Sequence, residues 1–172
     1  VVRPTIKALS ADGRPFRGLM YFQMMLTKRG PVVIEINCRF GDPEAQLILP
    51  LLDCDLLPLL LATTEDGALK TRKVKFKPEV AVGVVLASQG YPGTPEVGRM
   101  IGGKLDSLVF HAGTKLASRG RLLTAGGRVL TVVRTAATYA AAQKAAYETA
   151  DQITFDGKYC RPNIGDEAVI VD

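Results

Sequence analysis

The ten residues Glu35-Ile36-Asn37-Cys38-Arg39-Phe40-Gly41-Asp42-Pro43-Glu44 constrain this chain more than any other stretch. They follow Val32-Val33-Ile34, a β-branched apolar run that predicts a buried strand. Alternate residues of a strand share a face, so Glu35, Asn37 and Arg39 are expected to project together. Ile36 and Cys38 are then expected to face the other way, toward a core. A carboxylate, a carboxamide and a guanidinium are each costly to bury unpaired. Together they suit a divalent cation with phosphate. Glu35 and Asn37 offer hard oxygen ligands, and Arg39 offers a fork of donors for phosphate or carboxylate oxygens.

Beyond the strand, Asp42 is placed to cap a helix, with Pro43 at its first position and Glu44 in its first turn. Such a helix start presents free backbone N–H groups that favour an anion. Spacing alone leaves a plainer reading open, in which an exposed Glu35–Arg39 ion pair merely precedes a capped helix.

The pattern Glu-x-Asn-x-Arg resembles the magnesium and phosphate strand of ATP-grasp ligases. The longer string EINCRFGDPEAQ is more specific and resembles the phosphoribosylamine–glycine ligase (glycinamide ribonucleotide synthetase) family of purine synthesis. RGLMYFQMMLTKRGP upstream, GYPG at 90–93, VFHAGTK at 109–115 and GGRVLTVV at 126–133 follow in that family's order. The resemblance spans nearly all of the 172 residues. It implies an α+β chain in three parts. Residues 1–70 form the second half of an ATP-grasp domain, with antiparallel strands plus helices. Residues 71–79 are a linker, and 80–172 a small antiparallel-sheet domain with a packed helix.

The same resemblance implies a reaction and its participants. ATP, glycine and 5-phosphoribosylamine are the expected ligands, with Mg²⁺ (or Mn²⁺) held by Glu35 and Asn37. Arg39 is the expected catalytic residue, stabilising the transferring phosphoryl or the acyl phosphate. Gly41, Asp42 and Pro43 are expected to contact substrate. Many ATP-grasp enzymes carry a further acidic ligand on the preceding strand, where this chain offers only Gln23. The glycine-rich flap, the nucleotide-gripping lysines and the amino-terminal α/β domain of the family are not in the sequence. The chain therefore reads as a carboxy-terminal piece whose partner is the missing amino-terminal part. Alone it is expected to be inactive, because an acyl phosphate needs shielding from water.

Composition narrows the class. At 47% hydrophobic, the chain can bury one ordinary core or two small ones, and it has no low-complexity tract or repeat. The apolar run from Leu47 to Ala62 is broken by Pro50, Asp53, Asp55 and Pro58, too often to span a bilayer. No secretory signal leads the chain. Cys38, Cys54 and Cys160 are odd in number and lack C-x-x-C spacing, which favours reduced thiols in a cytoplasmic compartment. The net charge of +5 collects in residues 67–172, where Lys70, Arg72, Lys73, Lys75 and Lys77 form the densest run. No aromatic residues interleave that run as a nucleic-acid stacking platform would require, so it reads as a solvated segment. A basic balance equally suits an anionic substrate.

Taken in order, Val1 to Phe16 reads as a leading segment with a polar turn at Ala11–Arg14. Gly18–Thr27 and Val32–Phe40 read as a hairpin joined through Lys28-Arg29-Gly30-Pro31. Pro43–Leu52 and a segment capped by Asp53 or Asp55 read as helices, the second closed by Gly67. Strands are expected at Val80–Ser88, Leu108–Ala112, Arg121–Thr124, Arg128–Arg134 and Ala168–Val171. Ala136–Ile153 reads as an amphipathic helix, with Tyr139, Ala142, Ala146 and Ala150 on one face.

Three further features remain open at this level. His111, the only histidine, is either a pH-poised base or a satisfied structural residue. Gly126-Gly127-Arg128 is either a hairpin turn or a ribose-phosphate contact, since glycines admit a ligand to the backbone and Arg suits phosphate. Tyr159-Cys160-Arg161-Pro162-Asn163 departs from the family's usual residues there, and no role is assigned to Arg161. The rivals are another ATP-grasp carboxylate–amine ligase or a biotin-dependent carboxylase, which share the short motif but not the RFGDPE continuation, and a non-catalytic basic module binding nucleic acid.

Overall fold

The computed structural model describes residues 1–106 and 108–169 of the chain. It is a mixed α and β structure in which every paired strand is antiparallel. Two compact units are present: Val1–Glu44 with Leu52–Lys75, and Ala45–Leu51 with the chain from Phe76 onward.

The first unit opens with α1 (Val2–Ala11), where a segment without helix was expected. Val2, Ile6 and Leu9 lie at helical spacing, and Pro4 falls in the first turn, where its missing N–H costs nothing. β1 (Tyr21–Thr27) and β2 (Gly30–Asn37) then form a two-stranded hairpin closed by the turn at Lys28-Arg29. The unit ends with α3 (Leu56–Ala62) and a 3-10 turn at Ala68–Thr71. The Asp55 side chain caps α3 by accepting from the Leu57 N–H, and Pro58 sits harmlessly near the start. The helix stops at Ala62 rather than near Asp66, while Gly67 (φ 75°) precedes the 3-10 turn.

The hairpin corrects one expectation. Ile36 is 46% exposed and Cys38 is exposed, so neither faces a core. Consecutive residues Met24, Met25 and Leu26 are exposed, as are Val32, Val33 and Ile34, so apolar side chains stand bare on both faces. Among the described residues of this unit, only Gly41 and Ala62 are buried. A sheet face buries its apolar residues only against a second layer, and this unit has none.

The second unit has its own core. β3 (Val80–Ala87), β7 (Arg128–Ala136) and β4 (Val109–His111) form a sheet with β7 central. β5 (Thr114–Leu116) and β6 (Leu122–Thr124) make a separate short hairpin. α4 (Tyr139–Gln152) turns Ala142, Ala146 and Ala150, each fully buried, toward Val82, Val84, Leu86, Leu130 and Val132. Alanine at every fourth position lets the helix lie close to the strands. Thr138 caps its start, and the Lys158 ammonium donates to the Ala150 and Ile153 carbonyls (2.8 and 2.7 Å) at its end. A cation there also complements the helix dipole. α2 (Glu44–Leu51) gives all but its first residue to this unit, where Lys77 donates to Leu51 and Pro50 carbonyls.

The C-terminal segment differs from its expected strand. α5 (Asp166–Val169) is one helical turn led by two acidic residues; 170–172 lie outside the described residues. Tyr147 on α4 secures this segment. Its hydroxyl donates to the Arg161 carbonyl (2.6 Å) and accepts from the Ile164 N–H (2.9 Å).

Burial raises the Tyr147 phenol above its ordinary value, opposed by the Ile164 hydrogen bond and assisted by the nearby Cys160 and Asp166 charges. The native state therefore holds the phenol proton more tightly than the unfolded state does. The stability it supplies is complete below the ordinary tyrosine range and falls as pH rises through about 10 and beyond. Tyr147→Phe should cost about 1–2 kcal/mol in urea unfolding at pH 7. It should also flatten the loss of stability between about pH 9 and 11.

Candidate active site

The expected cation ligands lie together at the end of β2. The Asn37 amide Nδ2 donates to Glu35 Oε1 at 2.9 Å, which leaves the Asn37 carbonyl oxygen free of that bond. Two hard oxygen donors two residues apart fit a divalent cation. Among the described residues no group of three or more His, Cys, Asp or Glu gathers anywhere. A cation here would take its remaining ligands from phosphate or water.

Pairing register decides what else reaches this pair. Thr27 to Met24 pair with Gly30 to Val33 as a tight hairpin dictates, and then the register slips by one. Ile34 is the extra residue, so Glu35 lies opposite Gln23 and Asn37 opposite Tyr21. Without the bulge those partners would be Phe22 and Met20. Bulges re-aim side chains in this way beside functional sites.

Arg39 departs from the expected geometry. β1 begins at Tyr21, so nothing pairs with residues beyond Asn37, and the chain bends at Cys38–Arg39. The Arg39 guanidinium donates to the Phe40 carbonyl (2.8 Å) and makes no ion pair with Glu35. The face shared by Glu35 and Asn37 does not extend to Arg39, and the exposed Glu35–Arg39 ion pair is not formed. The turn also differs: the Asp42–Pro43 peptide is cis and α2 starts at Glu44, so Pro43 precedes the helix. Asp42 is exposed and Gly41 is buried.

Tyr21 and Glu44 take part here in a way that local spacing does not indicate. The Glu44 carboxylate acts on the Tyr21 phenol, and the Tyr21 ring and that carboxylate both press on Gly41. Burial, the Glu44 hydrogen bond and the charges of Glu44 and Glu35 all hold the Tyr21 phenol above its ordinary value. Counting back from the Lys28-Arg29 turn is the one signal that points at this region. The bulge makes that count wrong by one.

In the second unit, Gly126, Gly127 and Arg128 meet two other motifs. The Ser88 hydroxyl donates to the Gly126 carbonyl (2.9 Å), and the Ser88 N–H to that of Gly127 (2.8 Å). The Tyr91 ring lies on Gly127, where a Cβ would fall 3.1 Å from Cε2. Gly113 backs onto Gly126, so that a Cβ at 113 would stand 2.6 Å from the Gly126 Cα. The glycines thus serve close backbone packing between the GYPG, HAGT and GGR segments. An open hollow of about 390 Å³ borders Gly90 and Tyr91, with Lys158 and Tyr159 across it. His111 Nδ1 shares a hydrogen bond with Thr114 Oγ1 (3.0 Å) and is exposed at the strand end.

The hairpin and turn fall within residues 1–45, which match the profile described as "Phosphoribosylglycinamide synthetase, ATP-grasp (A) domain". This places the chain in the ATP-grasp class. Residues 81–167 match "Phosphoribosylglycinamide synthetase, C domain". The chain belongs to the phosphoribosylglycinamide synthetase family. The phosphoribosylamine–glycine ligase of Caulobacter vibrioides is 41% identical over 170 residues, covering 96% of this chain and 40% of that protein. That of Salmonella typhimurium is 43% identical over 175 residues, covering 98% and 41%. The crystal structure of the Thermotoga maritima phosphoribosylamine–glycine ligase superimposes with a TM-score of 0.75 at 35% identity, over 92% of this chain and 39% of that one. The chain spans about 40% of the length of the curated relatives it matches.

The glycine packing yields a test. Gly113→Ala forces backbone apart at Gly126 and should destabilise the protein by about 1–3 kcal/mol. Gly126→Ala, whose nearest contact would be 3.1 Å, should cost less. Urea midpoints of the two variants make the comparison.

Proposed function

We propose that this chain supplies the carboxy-terminal part of an ATP-dependent ligase joining glycine to 5-phosphoribosylamine. The observation that carries the reading is the Glu35–Asn37 pair, joined at 2.9 Å on a bulged strand that ends in the Gly41-Asp42-Pro43 turn. Matches of both family profiles, in the same order as the expected parts, support it. In this reading residues 1–70 belong to the ATP-grasp domain, 71–79 link, and 80–172 form the terminal domain. The partner is the amino-terminal remainder of the ligase. Its location is the cytoplasm, a reading that the unpaired Cys38, Cys54 and Cys160 support.

A glycine carboxylate oxygen attacks the γ-phosphorus of ATP, and ADP leaves to give glycyl phosphate. The ribosylamine nitrogen then attacks the acyl carbon, the C–N bond forms as the acyl C–O bond breaks, and phosphate departs with that electron pair. The amine proton passes to solvent. When bound, Mg²⁺ (or Mn²⁺) offsets charge on the β- and γ-phosphates. Glu35, by its carboxylate, and Asn37, by its carbonyl oxygen, would hold it. Arg39 swings from the Phe40 carbonyl to the transferring phosphoryl, where a guanidinium matches developing charge. Gly41, Asp42 and Pro43 contact glycine or the amine. Gly126, Gly127 and Arg128 contact the ribosyl phosphate.

Phosphate release by the intact ligase carrying this chain, with Mg-ATP, glycine and fresh phosphoribosylamine, tests the reading. Glu35→Gln should lower kcat at least about 100-fold. Arg39→Ala should lower kcat by a similar factor of about 100 while KM stays within about threefold. A raised KM with intact kcat would assign Arg39 to ground-state binding instead. Turnover by the 172-residue chain alone would overturn the need for the amino-terminal remainder.

A further inference from the structure

We propose that Tyr21 and Glu44 are positioning residues for this reaction, a brace that holds the Gly41–Pro43 turn against the Glu35–Asn37 end of β2. The inference rests on the ligase reading above and adds two residues that reading does not use. Tyr21 opens β1 on the last rung of the hairpin, opposite Asn37. Glu44 opens α2, on the far side of the turn, and lies in the same unit as Tyr21.

Gly41, between them, is one of only two buried residues among those described in this unit. These two side chains cover it. A Cβ at position 41 would collide with the Glu44 carboxylate and stand 3.1 Å from Tyr21 Cε1. The ring and the carboxylate therefore meet over the face of Gly41 that a Cβ would occupy.

Segment 37–44 is thus held at both ends by one residue. Asn37 pairs with the Tyr21 backbone, and the Glu44 carboxylate meets the Tyr21 side chain over Gly41. Tethering both ends removes conformations from Arg39, Gly41 and Asp42 before substrate binds. A carboxylate in a helix's first turn could equally stand in water near the helix dipole. Glu44 is instead half-buried, within reach of a hydroxyl that also feels Glu35. Holding two carboxylates around one phenol is electrostatically unfavourable, and what it supplies is geometry. Displacing such groups by about 1 Å is enough to cost a large factor in rate.

The test compares wild type, Tyr21→Phe, Glu44→Ala, the double variant and Glu44→Gln in the intact ligase. Phenylalanine keeps the ring on Gly41 and removes the hydroxyl; glutamine keeps an acceptor for it. We expect kcat to fall about tenfold in Tyr21→Phe and in Glu44→Ala, with KM for Mg-ATP and glycine within about twofold. The double variant should be no worse than either single one, because both break the same link. Glu44→Gln should recover to within about threefold of wild type. Amide exchange at 39–42 should quicken in the two single variants and stay unchanged at 82–86, with thermal midpoints within about 2 °C.

Losses that multiply in the double variant, unchanged kcat, or exchange that quickens throughout the chain would overturn the brace. Wild-type ligase inactive with glycine and phosphoribosylamine would overturn the ligase reading itself. In that case the exchange measurement still reports whether Tyr21 and Glu44 hold the turn.

Discussion

The rung that pairs Tyr21 with Asn37 is the constraint on which the rest of the first unit depends. It is the last rung of the hairpin, and the bulge at Ile34 decides which residues occupy it. With the slip, the Asn37 carboxamide meets the Glu35 carboxylate on one strand while Tyr21 stands opposite. Because a one-residue change of register reverses the face of every side chain, a hairpin without this bulge would present a different set of groups to the turn. Arg39 and Asp42 follow from the same rung, since the chain leaves the sheet immediately after it.

The two units hold together by different means. The second is a three-stranded antiparallel sheet with an alanine-faced helix laid on it, and its buried residues form one continuous cluster. The first is a two-stranded hairpin with apolar side chains exposed on both faces. Two strands alone are marginally stable in water, and here neither face gains from burial. Exposed Met24, Leu26 and Ile34 are unfavourable in isolation and ordinary in the interior of a larger domain.

Periodicity made most elements of the second unit legible. A continuous apolar run marked β3, the four-residue spacing of alanine marked α4, and the Gly-Gly pair marked the turn before β7. The failures have specific causes. α1 carries Pro4 in its first turn, where a proline is harmless, so the residue does not exclude the helix. The terminal segment was taken for a strand from four apolar-rich residues, too few to separate the two periods. The strand face shared by Glu35, Asn37 and Arg39 failed at its last member, because alternation ends where pairing ends. The packing of Tyr91 on Gly127 and of Gly113 on Gly126 joins residues far apart in the chain, which no local pattern records.

What the sequence by itself determined is the chemistry available: which oxygens, guanidinium and glycines lie near one another along the chain, and which family's order of motifs they follow. Those are properties of short segments, set by side-chain type and local spacing. The tertiary structure alone decided which of them meet. It placed the bulge at Ile34, turned Arg39 back on the Phe40 carbonyl and closed Tyr21 and Glu44 over Gly41. Strand pairing and close packing couple residues across a turn, so their outcome depends on three-dimensional fit and not on sequence spacing alone.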